Sequence, residues 1–178
     1  MIFTARQLME KCREQSMGLC ATFIDLTKAF DSINRQGLCL LLAKLRCPDK
    51  FIKIVREFHD GMNARVIEQG QVSNSFSVAN GVKQGCTMAP TLFAVFFAAM
   101  LRDAFEDTDI GVYIQYRTSG KLFNLRRFQA RSKVLEALVR DLLFADDCGL
   151  FTHTVADMQI LMNHFALSAQ RFGMTISI

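Results

Sequence analysis

The chain has 178 residues, 51% of them hydrophobic and 21% charged, with a net charge of +4. That balance supports a folded core and argues against a wholly disordered chain. The longest apolar run, Leu92 to Leu101, is far short of the roughly 20 residues a membrane span needs, and the N-terminus lacks the signal-peptide pattern. No membrane association is expected, and an intracellular location follows, nuclear or cytoplasmic, with no targeting signal visible.

Taken in order, Ala5, Leu8, Met9 and Cys12 recur at helical spacing and predict an amphipathic helix over 4–15. Leu19–Leu26 is short and apolar and reads as one buried strand. Gly37–Leu45 and Phe51–Phe58 read as two helices, with Pro48 near the start of the second. Ala64–Ile67 and Phe76–Val78 suggest a hairpin around Gln69-Gly70. Leu92–Phe105 is a helix with Pro90 at its start, and Val112–Tyr116 is a strand. Residues 117–140 read as a basic loop or a strand pair. Leu142–Ala145 and Cys148–Phe151 flank Asp146-Asp147 as a hairpin. Thr154 with Asp157 signals a helix start. Val155, Met158, Leu161, Met162, Phe165 and Phe172 form that helix's buried face, Gly173 ends it, and Met174–Ile178 begins a strand. No linker, repeat or low-complexity tract interrupts the chain, so it reads as one unit of α+β type, a largely antiparallel sheet with helices packed on one face.

Two features bear on chemistry. Six cysteines form no CxxC pair and no Cys/His cluster, so buried, reduced thiols are expected rather than a zinc site or a disulfide framework. Charge is uneven: residues 117–140 hold seven basic residues and one acid, a local +6, while the remainder carries −2. A basic patch beside a mildly acidic body suits a polyanionic partner, although a solvated basic loop has the same composition.

The acids matter more. Asp25 ends one apolar run and Asp146-Asp147 interrupts another. A carboxylate at the end of a buried strand is costly unless compensated. Adjacent carboxylates repel, and a divalent cation relieves both costs. Hard oxygen ligands suit Mg²⁺, and acids from neighbouring strands suit two ions about 4 Å apart, the arrangement for in-line phosphoryl transfer. Taken alone, an Asp pair in a turn is more often plain turn chemistry than a metal site, and the same holds for Asp25 alone.

Three segments fall in a fixed order: Phe23-Ile24-Asp25-Leu26-Thr27-Lys28-Ala29-Phe30-Asp31; Asn80-Gly81-Val82-Lys83-Gln84-Gly85-Cys86, running on to Pro90; and Leu143-Phe144-Ala145-Asp146-Asp147. Together they resemble the first three palm motifs of reverse transcriptases. The wording of the first two is similar to that of non-LTR (long interspersed element) retrotransposons. The resemblance spans nearly the whole chain. It implies a polymerase palm fold and an RNA-directed DNA polymerase, a nucleotidyltransferase extending a DNA primer on an RNA template with dNTP substrates. Two Mg²⁺ ions would serve as cofactors, with Mn²⁺ as a substitute.

By the same resemblance, Asp25 and Asp146 would be catalytic and bind both metals, Asp147 would be the supporting acid, and the Leu26 carbonyl a backbone ligand. Phe30 matches the family's steric gate against a ribose 2′-OH. Gln84 and Gly85 match the segment that lies against the nucleotide and template. Lys83, Arg126 and Arg127 are expected to touch nucleic acid. Asp31 resembles a family-typical position but gets no catalytic role; capping the Gly37 helix is an equal alternative.

Against a complete enzyme of this kind, residues 1–18 resemble only the end of the fingers region. Residues 19–178 resemble a palm cut off in the fourth motif, with no thumb. Since positioning supplies much of the rate in phosphoryl transfer, the isolated chain is expected to polymerise poorly or not at all. The competing reading is a non-catalytic retrotransposon remnant that binds RNA through 117–140. A third is another palm polymerase, intron-encoded or RNA-copying. Oligomeric state and template specificity are not legible.

Overall fold

The computed structural model describes residues 1–83, 85–115 and 136–177, which form two compact units: 1–24 with 107–163, and 25–106 with 164–178. Every strand pair among the described residues is antiparallel, as expected for the α+β class. No helix among the described residues is long and apolar enough to cross a membrane.

The first unit opens with α1 (Ile2–Glu14). Leu8 and Cys12, one turn apart, form its buried stripe. Met9, assigned to that stripe by spacing, is exposed. Ser16 ends the helix in the left-handed region at φ 55°, with the Met17 N–H reaching back to the Cys12 carbonyl at 2.9 Å, a hydrogen-bonded helix stop. Strand β1 (Cys20–Ile24) follows. It pairs with β10 (Asp147–Thr152), which in turn pairs with β9 (Asp141–Phe144). A separate ribbon joins β7 (Val112–Gln115) to β8 (Glu136–Val139).

Leu8 and Cys12 of α1 meet Val112 of β7 and Phe151 of β10 in one apolar core, flanked by Met17, Leu19 and Leu142. Burying each large side chain contributes about 1.5–3 kcal/mol. Arg140 closes the basic stretch and folds back on the chain. Its guanidinium donates to the Ile110 carbonyl at 2.8 Å and also to the Thr108 carbonyl, tying down the segment before β7.

The second unit begins with β2 (Leu26–Thr27) and the single turn α2 (Ala29–Ser32). Helices α3 (Arg35–Lys44) and α4 (Asp49–Glu57) follow, then two short ribbons. In these, β3 (Asn63–Ala64) pairs with β6 (Phe76–Ser77), and β4 (Ile67–Glu68) with β5 (Gln71–Val72) around Gln69-Gly70. The core is α5 (Ala89–Phe105), with Pro90 in its first turn. Phe93, Phe97 and Met100 are fully buried. Phe97 meets Phe165 edge-on with ring centroids 6.5 Å apart. The Ser168 hydroxyl lies 2.8 Å from the Met100 carbonyl and 2.9 Å from the Asp103 carboxylate.

Helix α6 (Val155–Arg171) supplies residues to both units. It starts as expected: the Thr154 hydroxyl donates to the Asp157 carboxylate at 2.7 Å and accepts from the Asp157 N–H at 3.1 Å. Of its assigned buried face, Met158, Leu161 and Phe165 are buried but Val155 is 76% exposed, because the first helical turn projects beyond the packing surface. Gly173 closes the helix at φ 74°, and β11 (Thr175–Ile176) pairs with β2.

Three sequence expectations need correction. The single strand over 19–26 is two, β1 and β2, broken at Asp25. Strand β1 is not buried on both faces: Phe23 is 58% exposed and touches Phe151 by an edge contact at 6.2 Å. The cap of α3 is Asn34, whose side-chain oxygen accepts from the Gly37 N–H at 2.8 Å. Asp31 instead lies inside α2.

Candidate active site

The hairpin β9–β10 is closed by the pair Phe144↔Asp147, leaving Ala145 and Asp146 as a two-residue turn. Ala145 adopts φ 55°. Tight two-residue turns match the twist of paired strands only when a central residue takes positive φ, and an L-residue there costs roughly 1–2 kcal/mol. Strain of this kind persists where the surrounding structure over-determines it. Here six-residue β10, buried from Cys148 onward, holds the turn while Asp146 stays half exposed and Asp147 exposed.

In the register of β1 against β10, Ile24 pairs with Cys148. Asp25 is the next residue after Ile24, and Asp147 is the residue before Cys148. Asp25 is exposed, so the cost of burying a charge, inferred from the apolar run before it, does not arise. Among the described residues, the side chains of Asp25, Asp146 and Asp147 take part in no hydrogen bond or ion pair. Likewise, no group of three or more His, Cys, Asp or Glu side chains is gathered into a metal-holding cluster among them. Their donor chemistry, hard carboxylate oxygens open to water, is the kind Mg²⁺ takes.

The backbone beside Asp25 is informative. The Asp25 carbonyl accepts from the Ser177 N–H at 2.9 Å, while Leu26 stands opposite Ile176. In an antiparallel ladder, hydrogen-bonded and non-hydrogen-bonded pairs alternate. Leu26 and Ile176 are therefore a non-hydrogen-bonded pair, and the Leu26 carbonyl points away from β11. Its side chain is buried.

Two other groups shape the acid hairpin. Burial pushes the Asp141 carboxyl above its ordinary value, against the opposing pull of Arg140. The Cys148 thiol, buried next to Asp147, is pushed up to about 12, first by burial and then by the Asp141 charge. The expectation that all six thiols are buried holds for Cys12, Cys39 and Cys148; Cys20, Cys47 and Cys86 are partly exposed.

In the second unit, Phe30 is half buried and stacked on fully buried Phe93, with ring centroids 4.6 Å apart at 27°. The segment Asn80–Val82 lies on the backbone of the first motif. The Gly81 N–H donates to the Ile33 carbonyl at 2.8 Å, and the Val82 N–H to the Phe30 carbonyl at 2.9 Å. At φ 82°, Gly81 leaves no room for a side chain: a Cβ would lie 2.8 Å from the Phe30 carbonyl oxygen. Lys83 and Gly85 are exposed. Gly85 has φ 84° but open space around it, so its requirement is conformational, not steric. Gln84, Arg126 and Arg127 lie outside the described residues, as does most of the basic segment.

Residues 2–178 match the reverse transcriptase (RNA-dependent DNA polymerase) family. The chain belongs to that family. Among curated relatives, the Pol polyprotein of the type-2 retrotransposable element R2DM of Drosophila melanogaster is 28% identical over 140 residues, which is 79% of this chain and 11% of that protein. The RNA-directed DNA polymerase of the mobile element jockey of Drosophila funebris is 31% identical over 96 residues, 54% of this chain and 10% of the relative. This agrees with the non-LTR wording of the motifs. The chain spans about a tenth of the length of the curated relatives it matches. In fold it is similar to Candida tropicalis telomerase in complex with a fragment of telomeric RNA, at a TM-score of 0.63 with 12% identity, covering 99% of this chain and 27% of that one. The apo form of the same telomerase gives a TM-score of 0.63, covering 31% of that chain.

Within this reverse transcriptase domain, the structure brings Phe30 and the second-motif segment together and puts Asp146 and Asp147 side by side at the tip of one hairpin. Sequence reasoning passed over Arg35, whose side chain reaches that segment, and Phe93, which fixes the Phe30 ring. Phe93 was visible only as one apolar residue in a helical stripe. For Arg35 no sequence signal distinguishes it from a solvated arginine.

Proposed function

We propose that this chain is the catalytic core of an RNA-directed DNA polymerase that adds deoxynucleotides to a primer 3′-OH on an RNA template. The observation that carries the reading is the Ala145-Asp146 turn. It is strained, firmly anchored by β10, and presents carboxylates with no structural employment among the described residues. Asp25 and Asp146 would hold two Mg²⁺ ions, Mn²⁺ substituting, with Asp147 in support and the Leu26 carbonyl as a backbone ligand. When bound, such ions activate the attacking hydroxyl and steady the leaving pyrophosphate.

The chain's own residues do the rest. Phe30, held against Phe93, would bar a 2′-OH by bulk. Gln84 and Gly85 would face the nucleotide and template, while Lys83, Arg126 and Arg127 would touch the nucleic acid backbone, which is read by charge and not by sequence. We divide the chain into the end of a fingers region, 1–18, and a palm, 19–178, working inside the cell on dNTPs. Acting alone, it would extend primers weakly, because positioning supplies much of the rate in such reactions.

Single-nucleotide addition to a DNA primer on an RNA template, at high protein concentration with Mg²⁺, tests this. Slow addition is expected, abolished by Asp146→Ala or Asp25→Ala, with Phe30→Ala admitting ribonucleotides. RNA binding kept, with no Mg²⁺ binding in a titration and no Asp146-dependent addition, would sink the polymerase reading in favour of a non-catalytic RNA-binding remnant. Robust processive synthesis would sink the claim of weakness.

A further inference from the structure

Arg35 opens α3, and its guanidinium collects four backbone carbonyls. Nε donates to Gly81 at 2.7 Å, Nη1 to His59 at 2.7 Å and to Val78 at 2.8 Å, and Nη2 to Asn80 at 3.0 Å. Three of these acceptors fall within four consecutive residues of the segment leading into Lys83, Gln84 and Gly85. Carbonyls that converge on one point repel each other unless a cation with several diverging N–H groups sits among them. The guanidinium is the only side chain with a rigid planar fork of five donors, while a lysine offers one compact charge. The segment so held is the one whose Gly81 and Val82 N–H groups bond the carbonyls of Ile33 and Phe30. Gly81 has no side chain to keep the two backbones apart. A displacement of 78–82 is therefore passed directly to the backbone that carries the Phe30 ring.

We propose that Arg35 is a positioning residue for sugar selection: by gathering the Val78, Asn80 and Gly81 carbonyls, it presses the second-motif segment onto Phe30 and fixes how closely that ring can approach the sugar of a bound nucleotide. This inference rests on the polymerase reading above. Arg35 does not touch the reacting atoms. It acts through Gly81, Val82 and Phe30.

The test uses the full chain with Arg35→Lys and Arg35→Ala, read in two ways. Amide hydrogen exchange follows the Gly81 and Val82 N–H groups. The ratio of KM values for deoxy- and ribonucleotide is measured in single-nucleotide addition. In Arg35→Lys, exchange at both amides should rise tenfold or more while the β9–β10 amides keep their protection. Preference for deoxynucleotide should fall several-fold, through a lower ribonucleotide KM rather than a lower kcat. Guanidinium ion at millimolar concentration should partly restore both in Arg35→Ala. Unchanged exchange at Gly81 and Val82 overturns the clamp. Faster exchange throughout 25–106 reduces Arg35 to a general stabiliser and also overturns it. A loosened segment with unaltered sugar preference overturns the role in selection. Asp146→Ala separates the two levels: if wild-type addition does not depend on Asp146, the polymerase reading fails and the sugar role with it, while exchange still decides the clamp.

Discussion

A Cβ placed on Gly81 would stand 2.6 Å from the Asp31 Cα and 2.7 Å from the Asp31 carbonyl oxygen. Neither atom can yield, since both are backbone. Gly81→Ala therefore combines a steric conflict with an L-residue at φ 82°. It should destabilise the fold by about 3 kcal/mol or more, lowering the urea midpoint. Gly85→Ala shares the positive φ but meets open space, and should cost only about 1–2 kcal/mol. Equal costs at the two positions would contradict the close approach of the two segments.

Ala145 offers the opposite sign. Ala145→Gly relieves an L-residue at φ 55° but adds backbone freedom to the unfolded chain. The balance should favour the variant by about 0.5–1 kcal/mol, seen as a higher melting temperature. A β-branched replacement, Ala145→Val, should move it the other way.

For Asp141 the direction of the shift fixes a pH dependence. Burial raises its folded carboxyl above 3.8, with Arg140 opposing. The folded state thus favours the protonated form. The group's contribution is most favourable below the unfolded value and is lost as pH rises through the raised folded value. Asp141→Asn removes that loss. The melting temperature of the Asn variant relative to wild type should be lowest at acid pH and climb as pH rises past the carboxylate range. A wild type gaining on the variant as pH rises would mean that attraction to Arg140 outweighs burial.

Cys148 should be silent to alkylating reagents in the folded chain. With its thiol pushed up to about 12, the reactive thiolate at neutral pH is on the order of one in 10⁵, and the side chain is buried as well. Mass spectrometry after brief iodoacetamide treatment should find label on the partly exposed Cys20, Cys47 and Cys86, with Cys148 labelled only after denaturant. Native labelling of Cys148 at the rate of Cys86 would refute this.

The features readable from sequence are those set by local chemistry. Thr154 with Asp157 announced the start of α6 because a capping box is a short-range hydrogen-bond pattern, and Gly173 announced its end. The hairpin at Asp146-Asp147 was legible because two apolar runs flank two polar residues. What was not legible depends on partners distant in sequence. Phe23 looked like core, but only the pairing of β1 decides that its face is open. Asp31 and Asn34 are equally good caps in composition; the actual start of α3 chose Asn34. Arg35 is identified by four carbonyls, three of them more than forty residues away, which no periodicity encodes. In the candidate site, the acids were singled out by resemblance alone, while the physical motive offered for Asp25, a buried charge seeking compensation, failed because the residue is exposed.

Strand β1 has one more consequence. Its ladder runs from Cys20↔Thr152 to Ile24↔Cys148, so each rung joins residues about 120–130 positions apart. Closing so long a loop is slow compared with forming local contacts. During synthesis, the strand that leads into Asp25 must wait, with Phe23 and its backbone donors unpaired, until β10 has been made. A ribosome that stops before residue 152 leaves that strand edge unpaired and prone to self-association. In this domain, the acid hairpin is also the template on which the first strand is finished.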